Sequence, residues 1–369
     1  MSTFAVKVER IVDVQPHPNA DRLDLVQVLD WRCVTQKGSF QKGDLCVYFP
    51  IDSILPEKVE SAVFGPDSKV NLTKSRVKTI KLRGAISQGL VVSLRTIGPL
   101  ISYAGVGEGT DLTEKLGVTK HEPPEPPANM AGVKGKRSSR QSNPHFQKYT
   151  SLENIKNHPD VFEEGEIVYV TEKIHGTNFR AGYVPTVCNT FLKRIKKFFG
   201  LLPAYEFVFG SHNVQYQDKK VYRGFYESNV YAAAVEKYQL KTRLLPGEVV
   251  YGEIYGPGIQ KGYTYNLPDG EHRLALFDVM KDNGYLDPRG FINWCNVRRF
   301  EHVPIVGVGG FSKSWVTMLA TGDSLLAPKL IREGAVVKPE YNTVDHMIGR
   351  KVLKIINPEY LLRDQTDFH

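Results

Sequence analysis

Cysteine is scarce in this chain. The 369 residues hold four, Cys33, Cys46, Cys188 and Cys295, and no two form a CxxC pair. That spacing excludes a zinc ribbon or a disulfide frame and predicts reduced core residues of an intracellular protein. No apolar stretch approaches the roughly 20 residues needed to span a bilayer. The opening Met1–Arg10 places Lys7, Glu9 and Arg10 where a secretory leader carries its apolar core. No membrane partner is expected. Zinc-protease and serine-hydrolase motifs are missing. Gly132-Val-Lys-Gly-Lys-Arg-Ser-Ser139 has the wrong glycine spacing for a phosphate loop, and no strand-like run precedes it. Acidic residues are absent from Lys134–Arg140.

Positive charge is what the chain does have. Forty-eight Lys and Arg against 40 Asp and Glu leave a net charge of +8 and a pI of about 9.1. That balance suits an anionic partner such as nucleic acid, or serves only solubility. A hydrophobic content of 41% is enough for two ordinary cores. In residues 1–118, Ala5–Val8, Leu25–Leu29 and Leu45–Phe49 alternate apolar with polar positions, and Gly38, Gly43, Pro50 and Gly84 punctuate them. Five or six short strands in that length predict a small β-barrel. Residues 119–145 form a linker: the paired prolines of His121–Ala128 block helix and sheet, and a basic stretch follows. A second domain takes 146–369. Within it Phe191, Ile195, Phe198, Phe199 and Leu202 recur at helical spacing, with Lys193, Arg194, Lys196 and Lys197 in the gaps. A membrane or nucleic-acid helix is one reading. An insertion helix packed on the domain, basic side outward, is the expectation.

The stretch that organises the chain is Thr171-Glu-Lys-Ile-His-Gly-Thr-Asn-Phe-Arg180. The β-branched run Ile167–Val170 leads into it, so Lys173 is expected at a strand end entering a turn at Gly176. A free lysine has a pKa of about 10.4, so on the order of one in a thousand is unprotonated at neutral pH. To act as a nucleophile Lys173 needs cationic neighbours or a metal. Taken alone, it is a surface lysine before a turn.

The motif resembles Lys-x-x-Gly of the covalent nucleotidyltransferases: ATP-dependent DNA and RNA ligases and mRNA-capping guanylyltransferases. With His175 and Asn178 included, it is similar to the RNA-ligase branch. Further matches follow in order: Tyr251-Gly-Glu-Ile-Tyr-Gly-Pro-Gly-Ile-Gln-Lys261, Leu274–Met280, Glu333-Gly-Ala-Val-Val-Lys338 and Leu353-Lys-Ile-Ile-Asn357. The resemblance implies that Lys173 attacks the α-phosphate of ATP and carries AMP. It assigns the ribose to Glu253, the adenine to Phe277, nucleotide binding also to Glu172, and phosphate contacts to Lys338 and Lys354. Mg2+ or Mn2+ falls to Glu333, with Glu253 beside it. His175 and Asn178 serve the later steps.

Phe146–Asn154 is similar to the start of the phage-type double-strand RNA-repair ligase. His17–Leu23 and Leu82–Leu90 resemble OB-fold tRNA-binding modules, with Lys74, Arg76, Lys78, Lys81 and Arg83 as candidate nucleic-acid contacts. The whole looks like the Deinococcus- and Naegleria-type RNA ligases. The fold implied is α+β: an OB-like barrel, then an adenylyltransferase domain of antiparallel sheets with flanking helices. The partner implied is RNA, or a nicked duplex with RNA on the 3′-hydroxyl side, acted on by a monomer. Two departures stand out. Ile356 occupies the place of a second lysine after Lys354, with Arg350 or Lys351 as substitutes. Ser211 and His212 stand where an arginine for the 5′-phosphate is expected. A guanylyltransferase, a DNA ligase and a catalytically dead RNA-binding protein are the alternatives.

Overall fold

The alternating runs near the N-terminus become strands, and Leu23–Val28 buries every second side chain. The computed structural model describes residues 4–65, 72–101, 105–121, 143–188, 191, 195, 198–216, 229–282 and 284–363. Gly132–Ser139 and all but the ends of the 119–145 linker lie outside them. The described residues fall into two units: those of 1–123, 153–162 and 358–363, and those of 124–152 and 163–357.

In the first unit a five-stranded antiparallel sheet runs in the order Trp31–Gln36, Leu23–Val28, Lys7–Pro16, Leu45–Phe49, Leu90–Ser93. The long Lys7–Pro16 strand pairs with Leu45–Phe49 through Lys7–Arg10 and with Leu23–Val28 from Ile11 onward. The register breaks between Ile11 and Asp13. An irregularity of this kind bends a strand and lets one strand serve two partners, so the sheet curls. Val8, Val47, Phe49, Leu112 and Leu116 fill one core cluster; Ile11, Val26, Val28, Trp31 and Tyr48 fill the other.

The two stretches that suggested an OB module meet in space. His17 Nε2 donates to Leu82 O (3.1 Å), its Nδ1 accepts from the Asn19 N–H (3.1 Å), and Asn19 Nδ2 donates to Arg83 O (3.0 Å). Lys74, Lys78, Lys81 and Arg83 are exposed. Arg76 is not available to nucleic acid, contrary to expectation: it is buried, with Nη2 2.6 Å from Asp52 Oδ1. Residues 153–162 join this unit through Asn157, whose Oδ1 accepts from Trp31 Nε1 (2.7 Å), and Lys156, whose Nζ donates to Gln88 Oε1 (2.6 Å). Burial pushes the Lys156 ammonium down to about 8.

The second unit carries two large antiparallel sheets and a small two-stranded one, Val344–Asp345 with Gly349–Arg350. One orders Leu353–Ile356, Gly334–Pro339, Ile167–Lys173 and Ile305–Gly310. The other orders Gln215–Tyr216, Tyr205–Gly210, Thr177–Pro185, Glu248–Tyr255, Arg273–Lys281 and Gly284–Tyr285. One face of this second sheet presents Phe179, Ala181, Phe209, Val250 and Ile254 to the helices Val230–Lys237 and Pro288–Arg298. The opposite face presents Val184, Val208, Val249, Tyr251 and Met280, packed with Phe146 and Tyr149. The α+β class follows as expected. The packed insertion helix does not. Phe191, Ile195 and Phe198 are helical, yet they are 77%, 38% and 85% exposed. Lys193, Arg194, Lys196 and Lys197 lie outside the described residues. Periodicity identifies an apolar stripe; it does not supply a surface to cover it. Among the described residues no helix is long and apolar enough to cross a membrane.

Candidate active site

Period-two alternation sorts the Ile167–Lys173 strand. Val168, Val170 and Glu172 are buried on one face; Tyr169, Thr171 and Lys173 lie on the other. After a turn at Ile174–Gly176 the chain re-emerges as Thr177–Pro185 in the second sheet. The motif therefore passes from one sheet to the other, and between them lies a cavity of about 340 Å³. The first sheet lines it with Thr171, Lys173, Val336, Lys338 and Lys354, the second with Asn178, Glu253 and Phe277. Thr171, Val336 and Lys354 are cross-strand partners in one row. Lys173, Glu253, Phe277, Lys338 and Lys354, scattered over 182 positions from 173 to 354, thus share one cavity wall or its facing wall.

Lys173 Nζ lies 2.5 Å from Glu333 Oε1. The other oxygen of Glu333 is buried without a hydrogen-bond partner, 3.7 Å from His175 Nδ1. Burial pushes the Glu253 carboxyl up to about 8; the Lys173 ammonium opposes that and the Glu333 charge adds to it. Asn178, the register partner of Glu253, has a buried side-chain oxygen without a hydrogen bond. Among the described residues no three His, Cys, Asp or Glu cluster as a metal cage. An orphaned carboxylate oxygen beside a second carboxylate does fit Mg2+ or Mn2+, which keep much of their shell from water and phosphate.

The turn is held from a distance. Tyr265 OH accepts from the His175 N–H (2.7 Å), Gln260 Nε2 donates to Gly176 O (2.8 Å), and the Tyr263 ring stands edge-on to His175 at 4.8 Å. Tyr263 OH in turn donates to Ile331 O (2.9 Å), two residues before Glu333. A Cβ on Gly176 would meet Ile254 O at 2.3 Å and Glu253 Cγ at 2.8 Å. A Cβ on Gly334 would meet Ile355 O at 2.1 Å. Both motif glycines are therefore required by close backbone approach.

Behind the cavity Asp278 is fully buried, and its Oδ2 takes three side-chain donors: Arg350 Nη1 at 2.6 Å, Tyr149 OH at 2.8 Å and Lys338 Nζ at 3.0 Å. Burial alone would raise its carboxyl, but Lys338 and Arg350 overcome this and hold it below the ordinary carboxylate value. Lys338 Nζ also donates to Phe277 O (2.6 Å), and the Phe277 ring is set by Tyr149 at 4.8 Å. Sequence reading missed Asp278; its only signal is a lone carboxylate in the apolar run Leu274–Met280. Its partners lie 60 to 129 residues away.

Several expected contacts are placed elsewhere. Arg350 is held by Asp278 and stacks on Tyr285 at 3.9 Å, while Lys351 Nζ donates to Glu166 Oε2 (2.7 Å); neither lines the cavity. The Glu172 carboxylate, on the strand face opposite Lys173, accepts from Ser324 Oγ (2.5 Å) and the Leu325 N–H (2.8 Å), so only its backbone borders the cavity. His212 does line it. Burial, then Lys148 and Arg180, lower its imidazole pKa. Ser211 closes a turn instead, accepting from the Val214 N–H and, at its carbonyl, from Arg180 Nε (2.9 Å).

Comparison with known proteins bears on both units. An OB-fold domain model matches residues 5–94, and the RNA ligase model matches residues 166–356. Over nearly the whole chain the fold is similar to that of Naegleria gruberi RNA ligase. A mutant of that enzyme with ATP and Mn superposes with a TM-score of 0.71 at 23% identity, covering 97% of this chain and 98% of that one. A mutant with AMP and Mn and the protein with PPi each give a TM-score of 0.71 at 24% identity, covering 98% of both chains. The RNA ligase match takes in more than half of the chain, with Lys173, Glu253, Phe277, Lys338 and Lys354 inside it, and on that ground the chain belongs to the RNA ligase family.

Proposed function

We propose that this chain is an ATP-dependent RNA ligase acting through a lysyl-AMP intermediate. The observation that carries the reading is the position of Lys173: it lines a cavity together with Glu253, Lys338, Lys354, Asn178 and His212, and its Nζ pairs with Glu333. Such a set suits phosphoryl transfer, which needs positioning and charge neutralisation more than a strong base. In the first step Lys173, having shed its proton, forms a P–N bond to the α-phosphorus as the bond to pyrophosphate breaks. Glu253 receives the ribose hydroxyls, Phe277 stacks on the adenine, and Lys338 and Lys354 face the phosphates. Glu333 and Glu253 would hold the divalent ion, which neutralises charge on the phosphates. In the second step a substrate 5′-phosphate oxygen displaces Lys173 and takes the AMP. In the third a 3′-hydroxyl attacks that 5′-phosphorus, the phosphodiester forms, and AMP leaves.

The substrate is a nicked duplex with RNA on the 3′-hydroxyl side. The exposed Lys74, Lys78, Lys81 and Arg83 of the OB-like unit supply backbone charge contacts. The Naegleria gruberi enzyme, solved with ATP, AMP and PPi, lends support by analogy of fold.

The test is incubation with α-labelled ATP, and GTP in parallel, with Mg2+ or Mn2+, then denaturing electrophoresis. Label from ATP on the wild type but not on Lys173→Ala is expected. Nicked duplexes with RNA or DNA 3′-hydroxyl strands then define the substrate. Label from GTP alone assigns a capping-type reaction. No label from either, with protein shown by mass spectrometry to carry no bound AMP, overturns the reading.

A further inference from the structure

In the first unit Arg83 holds a backbone conformation that long side chains rarely adopt. Thr79–Leu82 and Ala85–Gln88 pair antiparallel with Leu82 opposite Ala85, so Arg83 and Gly84 alone make the turn. Their φ values are +46° and +92°. Asn-Gly fills a two-residue hairpin turn with both φ positive most readily; an arginine in the first place is uncommon. Such a residue persists where its surroundings over-determine it, and here they do. Leu82 O accepts from His17 Nε2 (3.1 Å), and Arg83 O accepts from Asn19 Nδ2 (3.0 Å). Those carbonyls belong to the two planar peptide groups that flank the Arg83 Cα, so the clasp sets both of its backbone angles. The clasp is itself fixed. His17 is buried, its Nδ1 accepts from the Asn19 N–H (3.1 Å), and its own N–H bonds to Leu23 O (3.1 Å).

We infer that His17 and Asn19 are positioning residues that aim the Arg83 guanidinium at a backbone phosphate of the bound duplex. The inference rests on the reading of this unit as a nucleic-acid contact, and it names what makes that contact directional. Holding the hairpin on the unit does not require the clasp. The far end is already anchored, with Ser87 Oγ accepting from the Val34 N–H (3.0 Å) and Gln88 O from Tyr48 OH (3.1 Å). What the tip presents is charge. Lys81 and Arg83 are exposed, and among the described residues neither side chain has a hydrogen bond or an ion pair. A guanidinium meets a phosphate through two parallel N–H groups, so its worth depends on direction. A backbone held before the ligand arrives lowers the cost of binding. A turn kept for stability alone would carry asparagine at 83. His17 and Asn19 need not touch nucleic acid; both act through Arg83.

The test is an anisotropy titration of the full chain with a fluorescent nicked duplex, RNA on its 3′-hydroxyl side, at several salt concentrations, beside thermal melting. Arg83→Asn should bind about tenfold more weakly, as the loss of a charge-assisted contact does. Its salt slope should be shallower by about one. It should melt no lower than wild type, because asparagine suits the turn better. Asn19→Ala should weaken binding several-fold in the wild type and no further in Arg83→Asn, because its effect passes through that side chain. Wild-type affinity in Arg83→Asn overturns the inference. So does a wild type that does not bind the duplex. An Asn19→Ala loss equal in both backgrounds also overturns it and makes the clasp a brace for the unit alone. Labelling of wild-type Lys173 by ATP is run alongside. Its absence removes the ligase reading and leaves the binding data to decide this one; label with unchanged Arg83→Asn binding removes this inference alone.

Discussion

Asp278→Asn is the most informative single change in the second unit. The substitution keeps the size of the side chain and removes its charge from beneath Lys338 and Arg350. Asp278 is 1% exposed, Lys338 8% and Arg350 11%, so water cannot replace what is lost. Breaking one partner out of a buried ion pair costs about 3–5 kcal/mol because the remaining charge stays desolvated. Asparagine still offers one acceptor, and Lys338 retains Phe277 O, which places the expected loss near the lower end, about 3 kcal/mol. Urea denaturation measures it. Lys338→Met in the Asp278→Asn background should recover part of the loss, giving a favourable coupling of about 1–3 kcal/mol. The pH dependence has a fixed sign. The Asp278 carboxyl is held below its unfolded value, so its contribution is present above about pH 3.9 and disappears as pH falls through the folded value. The stability curves of wild type and variant should therefore converge in acid. A loss under about 1 kcal/mol at neutral pH, the worth of a solvent-exposed pair, would refute the reasoning.

Four further outcomes are expected. Gly176→Ala forces the turn off Ile254 O and Glu253 and should slow lysine adenylylation about 100-fold, since displacements near 1 Å cost that much; single-turnover labelling checks it. Glu333→Gln removes the charge paired with Lys173 and should reduce labelling by about 10²–10³-fold, a few kcal/mol of charge stabilisation, with a higher demand for Mn2+. Glu253 has a folded pKa of about 8 against 4.5 ordinarily. The ligand-free protein therefore loses stability as pH climbs between those values, and Glu253→Gln should melt above wild type at pH 8.5 with no gap below pH 4.5. Tyr265→Phe removes the acceptor of the buried His175 N–H, and should cost about 1–2 kcal/mol in stability by thermal melting.

Much of the site was legible because strand periodicity and motif order act locally. The β-branched run before Lys173, the carboxylate of Glu253 near a strand end and the Glu333–Lys338 string each needed only their neighbours to be placed. Their meeting in one cavity follows once the strands pair. The rest needed distance. Arg76 reads as a groove cation until Asp52 is brought beside it by the fold. Arg350 and Lys351 read as stand-ins for the lysine replaced by Ile356, but Asp278 and Glu166 claim them. Glu172 was within reach of period two alone, which puts it on the face away from Lys173. Phe191, Ile195 and Phe198 show the opposite limit: they are helical at the expected spacing, and nothing in a stripe says whether a partner surface exists.

The loop that follows Glu253 has a consequence for engineering. Gln260 and Tyr265 hold the backbone of the nucleophile turn, and Tyr263, edge-on to the His175 ring, ties it to Ile331 two residues before Glu333. The six residues from Lys173 to Asn178 are thus a recognisable word but not a portable part. Written into another scaffold without that loop, they would keep their spelling and lose their geometry. The smallest transplantable piece of this active site is the stretch running from the nucleophile strand through the tyrosine loop to Glu333, and a graft that stops short of Tyr265 should leave a lysine that is present and inert.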